Sequence, residues 1–149
     1  MIVTFSGNSD FRKDIDTEKK IIEILKICAK KAEKVYCFCG GYGHFDYFAA
    51  ACVNKVKRTY PNIVNCLITA YITLPQQKNL KFLEANYDEI IYPPLENVPP
   101  RYEIPERNKW MINCADLVIA HVENYFGGAA KTLKYAEKKN KKIIYLNKI

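Results

Sequence analysis

Val35-Tyr36-Cys37-Phe38-Cys39-Gly40-Gly41-Tyr42-Gly43 decides the reading of this chain. An unbroken apolar run of strand length stops at a glycine cluster, and a stretch of helical periodicity begins at Phe45. The pattern recurs downstream, where Leu117-Val118-Ile119-Ala120-His121-Val122 leads to Gly127-Gly128-Ala129-Ala130-Lys131-Thr132 and a second helical stretch. A strand, a glycine turn and a helix N-terminus together make an anion site. Glycines let the backbone approach closely, and the unpaired N–H groups and helix dipole favour phosphate. Five of the six glycines fall in these two turns, so glycine is concentrated where a ligand would need it.

Outward from these turns, apolar runs alternate with amphipathic ones. Strands are predicted at 2–6, 34–39, 63–71, 89–92, 116–122 and 142–146, and helices at 17–33, 45–60, 105–114 and 129–140. Ile21, Ile22, Leu25, Cys28, Ala29 and Ala32 recur at helical spacing. Strands that are apolar throughout fit a sheet covered on both faces. The β-α-β-α order gives a Rossmann-like, doubly wound, mainly parallel α/β sheet with helices on both faces, one domain over residues 1–149. Four of the seven prolines lie in Tyr92–Tyr102, which predicts a stiff, extended connection of the kind that usually serves function.

The composition, 49% hydrophobic and 26% charged over 149 residues, is that of a globular domain without a membrane-spanning stretch. The first residues lack a charged leader and a cleavage site, so a cytoplasmic location is expected. The six cysteines lie among apolar neighbours, and neither Cys37-x-Cys39 nor the two histidines makes a metal pattern, so buried free thiols are expected and no metal is implied. The net charge of +7 comes almost wholly from lysines interleaved with glutamates on helix faces. With only four arginines, the forked side chain preferred for base and phosphate recognition is scarce, and nucleic acid is disfavoured as a partner.

Ligands of open parallel sheets bind beyond the carboxyl ends of the strands. That edge should gather Ser6, Gly7 and Asn8 from the first strand; Gly40, Gly41, Tyr42, Gly43, Phe45 and Asp46 after the second; and Tyr71 near the third. Arg101 and Arg107 come from the proline segment and the helix after it, and Glu123, Gly127, Gly128, Ala129, Lys131 and Thr132 follow the fifth strand. Backbone turns and arginines would take phosphate, Tyr42 or Phe45 a base, and Asp46 or Glu123 ribose hydroxyls. Asp46 at a helix start also fits plain capping, and Trp110 reads as core. Lys131-Thr132 resembles a Walker A ending, but the G-x-x-x-x-G-K-[ST] spacing is absent, which excludes that ATPase chemistry.

Thr4-Phe5-Ser6-Gly7, Gly40-Gly41-Tyr42-Gly43-His44-Phe45-Asp46 and Ile91-Tyr92-Pro93-Pro94-Leu95-Glu96 resemble the SLOG superfamily. Pro99-Pro100-Arg101, Arg107-Asn108-Lys109-Trp110-Met111, Ala115-Asp116 and Gly127-Gly128-Ala129-Ala130-Lys131-Thr132 continue the match, nearest to the small stand-alone bacterial and phage branch, the DUF1273 or YpsA-like group. The resemblance implies a nucleotide or nucleotide-derived signal as ligand (NAD-like, ADP-ribose-like or cyclic), held by a sensor or sequestering protein, with no cofactor and commonly a homodimer. An N-glycosidase or phosphoribohydrolase using Asp46 and Glu123 is the alternative, and a basic nucleic-acid-binding protein a third reading. Gly7-Asn8-Ser9 replaces the Gly-His-Arg frequent in that branch. The second turn lacks the glutamate of the P-G-G-x-G-T-x-x-E motif of LOG hydrolases. Both departures favour binding over hydrolysis.

Overall fold

The computed structural model describes residues 1–70 and 80–147. Six strands, β1 (Ile2–Gly7), β2 (Val35–Cys39), β3 (Ile63–Ile68), β4 (Glu89–Ile91), β5 (Leu117–His121) and β6 (Ile143–Tyr145), form one sheet in the order β4-β3-β2-β1-β5-β6. Every neighbouring pair is parallel. The helices are α1 (Ile15–Lys31), α2 (His44–Lys57), α3 (Leu80–Asn86), α4 (Glu103–Cys114) and α5 (Gly128–Lys138), with a 3-10 turn at Pro100–Tyr102. This is the Rossmann-like α/β arrangement expected from the alternating pattern.

Side chains alternate across the sheet as the pleat requires. Val3, Phe5, Val35, Cys37, Ile63, Leu67, Leu117 and Ile119 join Ile21 and Leu25 of α1 and Phe45, Ala49 and Val53 of α2 in the larger core. On the opposite face, Phe38, Cys66 and Ile68 pack with Met111 of α4, and Val118 packs with Ile112 and Ala136. Trp110 is core-facing, stacked on Phe38 at 5.8 Å between ring centroids. The six cysteines are free, and all but Cys114 are buried.

Local chemistry sets the element ends. Asp14 caps α1, its Oδ1 accepting the Thr17 N–H at 2.7 Å, which holds this carboxyl below its usual range. In β3 the buried Asn65 amide donates to Ala50 O, Asn54 Oδ1 and Asn86 O, tying α2 and the end of α3 to the sheet. Helix α3 is absent from the sequence reading, because seven residues are barely two turns and leave no periodicity to detect. Strand β3 ends at Ile68, so the expected strand is too long at Thr69 and Ala70, which lie beyond the ladder, and Tyr71 lies outside the described residues.

The proline segment also differs from expectation. It folds into consecutive tight turns, with Leu95 N–H donating to Pro93 O, Val98 N–H to Leu95 O and Tyr102 N–H to Pro99 O. Leu95 is buried and anchors the segment, so Arg101 and Tyr102 are delivered from a pinned turn instead of an extended rod.

Candidate functional site

The strand order reverses between β1 and β5, since β1 is followed by β2 on one side and paired with β5 on the other. Chain leaving these two strands must diverge to opposite faces, which opens a crevice at their carboxyl ends. Asn8 bridges it, its Oδ1 accepting the Glu123 N–H at 2.8 Å.

Beside that bridge lies a small cleft of about 100 Å³, lined by Phe5, Ser6, Gly7, Tyr42, Gly43, Asp46, Ile104, Arg107, Asn108, Gly128, Ala129 and Thr132. Nine of these are expected site residues; Phe5 and Asn108 stand in the sequence only as parts of the quoted motifs, and Ile104 in none. Asn108 follows Arg107 on α4, and a polar residue next to a candidate arginine was the available signal. The cleft is far below the roughly 300–1,000 Å³ of ordinary small-molecule sites. It has room for a phosphate-sized group, while a sugar and base would have to lie outside.

Its charged wall is built from α2 and α4. Arg107 is 4% exposed, and its Nη1 donates to Gly40 O at 2.6 Å and to Ile68 O at 3.3 Å. Its Nε donates to Asn108 Oδ1 at 3.1 Å. Asp46 stands in the first turn of α2 and accepts the Tyr42 N–H through Oδ2 at 3.0 Å. Burial pushes the Asp46 carboxyl above the usual carboxylate range, opposed by the N–H groups of Tyr42 and Gly43 and by the Arg107 charge. An acid three residues into a helix that reaches back to the N–H groups before it performs the capping role.

Gly40 sits between these partners: a Cβ there would come 3.1 Å from Asp46 Oδ2 and 3.2 Å from the Arg107 guanidinium carbon. Gly41 has φ of +66° and presses against Leu67, while Gly43 touches Ser9. Tyr47 donates its hydroxyl to Gly41 O at 3.1 Å and holds the same turn from outside. Phe45, expected beside a base, is instead 0% exposed under Gly7, where a Cβ would come 2.1 Å from its ring. It belongs to the core. Across the cleft, α5 begins at Gly128 without a side-chain cap, after Gly127 at φ +93°. A Cβ at either glycine would meet nothing within 4 Å, so this turn is open where the first is closed.

Other expected site residues lie around the cleft. Glu123 is exposed and lines a separate groove with Tyr125, Leu133 and Lys134, so Asp46 and Glu123 do not line one cavity. Lys131 is exposed on the first turns of α5, and the Thr132 hydroxyl donates to Gly128 O. Arg101 lies with its guanidinium 4.8 Å from the Tyr102 ring centroid. Tyr42, expected to take a base, is exposed at this edge, and four further exposed aromatics stand outside the expected site: Tyr125 and Phe126, in the loop before α5, at 85% and 87%, with Tyr47 and Tyr102. Among the described residues no three His, Cys, Asp or Glu side chains gather as a metal set, and no helix is long and apolar enough to cross a membrane.

No protein-family model matches the chain, and no curated protein sequence matches it. Solved structures do. The chain is similar to DNA processing protein A from Helicobacter pylori, described for its unique single-stranded DNA binding mode, at TM-score 0.66 and 17% identity over 97% of this chain and 64% of that one. It is similar also to DNA processing protein A (DprA) from Streptococcus pneumoniae, at TM-score 0.67 and 13% identity over 96% of this chain and 49% of that one. The chain thus spans about two thirds of one and half of the other, and at these identities the likeness is one of fold, Rossmann-like.

The exclusion of nucleic acid as a partner has to be corrected, because the Helicobacter pylori protein of the same fold binds single-stranded DNA. The expectation weighed arginine forks for base readout. Single strands are held differently, by aromatic stacking and diffuse phosphate attraction, which exposed tyrosines and lysines can supply.

Proposed function

We propose that this protein binds single-stranded DNA along the carboxyl edge of its sheet. The observation that carries the reading is the set of solvent-exposed aromatics on the loops of that edge, Tyr42, Tyr102, Tyr125 and Phe126, around a cleft with room for one phosphate. Tyr125 and Phe126, at 85% and 87% exposed, bury too little apolar area to serve folding. Bases stacking on them gain roughly 1–3 kcal/mol each irrespective of sequence. A phosphate in the cleft would meet the uncapped N-terminus of α5 and the buried Arg107. The net charge of +7 supplies the long-range attraction. The likeness to a single-strand-binding protein of this fold supports the same reading.

The nucleotide-sensor and sequestration readings call for sugar and base to be enclosed together with the phosphate; the cleft, at about 100 Å³, takes only a phosphate-sized group, and the larger grooves beside it are open to solvent. Cleavage of an N-glycosidic bond calls for carboxylates facing one ribose; Asp46 is engaged with the α2 N-terminus, and Glu123 lies in another groove. The DUF1273-like motifs support a place for the chain in that branch of the SLOG fold.

The test is fluorescence anisotropy of a labelled 15-nucleotide oligo-dT, titrated with protein over a salt series. Binding that weakens with salt by about 0.7 log units per log unit of salt for each phosphate contacted is the expected result. Saturable binding of a mononucleotide that displaces the strand would return the assignment to a nucleotide site, and no strand binding even at low salt would end it.

A further inference from the structure

A second groove lies on the other side of the Gly40–Gly43 turn. The loop after β1 and the start of α2 border an open groove of about 560 Å³ lined by Phe11, Arg12, Lys13, His44, Tyr47, Phe48 and Ala51. Its floor is aromatic: Phe11 lies 5.0 Å from the Phe48 ring, centroid to centroid and tilted by 48°, and rests edge-on against the fully buried Phe45. Arg12 and Lys13 are exposed and put positive charge on one side of its rim, the His44 imidazole stands on the other, and no carboxylate lines it. Asp14, the acid next to Lys13, is committed to Thr17 as the cap of α1.

The geometry points to this groove as a nucleobase pocket for a single strand held at the carboxyl edge, an inference that rests on the proposed DNA-binding function. Three observations converge on that occupant. The volume lies in the range of ordinary small-molecule sites, so a base fits where the cleft takes only a phosphate. The aromatic floor, with Phe48 tilted by 48° against Phe11, gives a base apolar rings to pack on, and Arg12 and Lys13 complement the phosphates on either side of an inserted base. The two cavities are also mechanically joined. The Tyr47 ring lines the groove while its hydroxyl holds Gly41 O, and the His44 N–H donates to Ser9 O beside Gly43. Tyr47 thus links the groove to the turn that carries Tyr42.

Filling the groove tests this. Ala51 is exposed on α2 and lines the groove without belonging to the core, so Ala51→Leu occupies the pocket and leaves the packing alone. The expected result is oligo-dT binding weakened at least about fivefold with an unchanged melting temperature. A strand with abasic spacers throughout should bind wild type and Ala51→Leu equally. Arg12→Ala combined with Lys13→Ala, both exposed, should lower the salt slope by about 1.4, the loss of two phosphate contacts; this pair decides if Ala51→Leu proves unstable. Groove variants that bind as wild type, while Tyr125→Ala with Phe126→Ala binds more weakly, would overturn the pocket and leave the edge function standing. Absence of strand binding by the wild type would overturn both.

Discussion

Asn8 and Glu123 are joined across the switch point, the Asn8 side-chain oxygen accepting the Glu123 backbone N–H at 2.8 Å. One bond thereby ties the loop leaving β1 to the loop leaving β5. That second loop carries Tyr125 and Phe126, so its position matters beyond stability. Asn8→Ala should cost about 0.5–1.5 kcal/mol in urea unfolding. Hydrogen exchange should rise at 123–127 and stay unchanged in β3. Equal exchange in both proteins would show that the bond does not hold the loop.

The glycines separate into two kinds. Gly7→Ala drives a Cβ into the Phe45 ring, an overpacking expected to cost about 1–3 kcal/mol or more. Gly128→Ala meets open space and should leave stability within about 0.5 kcal/mol of wild type. Thermal melts of the pair decide it. Gly43 is a poor probe of ligand approach, because a Cβ there would come 2.6 Å from Ser9 Cα and disturb the fold first.

Asp46 gives a pH signature of unusual sign. Its carboxyl is raised by burial, so the folded state binds the proton more tightly than the unfolded chain does. Its contribution favours folding at low pH and is lost as pH rises through the folded pKa. Asp46→Asn removes the buried charge while keeping an acceptor for the Tyr42 N–H. Relative to wild type, the variant should therefore gain stability between acid and neutral pH. A constant difference across that window would contradict the assignment.

Thiol reactivity should follow burial. Desolvation pushes Cys52 and Cys66 up to about 12 and raises Cys37 and Cys39 still more strongly. Cys114 is the one partly exposed thiol. Alkylation of native protein at pH 8 should label Cys114 first, and labelling of the other five should need unfolding. Rapid labelling of Cys37 or Cys39 by intact mass spectrometry would show that the core opens.

The alternation of apolar runs with helical stretches made the parallel sheet legible, as did the two glycine turns that stand where β2 and β5 end. The site was harder to read for physical reasons. Gly40, Gly41 and Gly43 have the composition of a phosphate loop, yet the first two pack on Arg107 and Leu67 and the third on Ser9, which only the fold reveals. Phe45 was drawn to the edge by its sequence neighbours, whereas helical phase turns it under Gly7. Tyr125 and Phe126 went unremarked because exposure of an aromatic in a loop has no periodic signature. Lysines on helix faces suggested only solvation, since charge counted along the chain does not show which loops it surrounds.

Photo-crosslinking tests the central claim most directly. An oligo-dT strand substituted with 5-iodouracil would be irradiated on the protein at low salt, and the adducts located by peptide mass spectrometry. Adducts on the edge aromatics Tyr42, Tyr102, Tyr125 and Phe126 are the expected result. Adducts confined to Tyr36 and Tyr60, away from the carboxyl-edge loops, or no adducts at all, would contradict single-strand binding at this site.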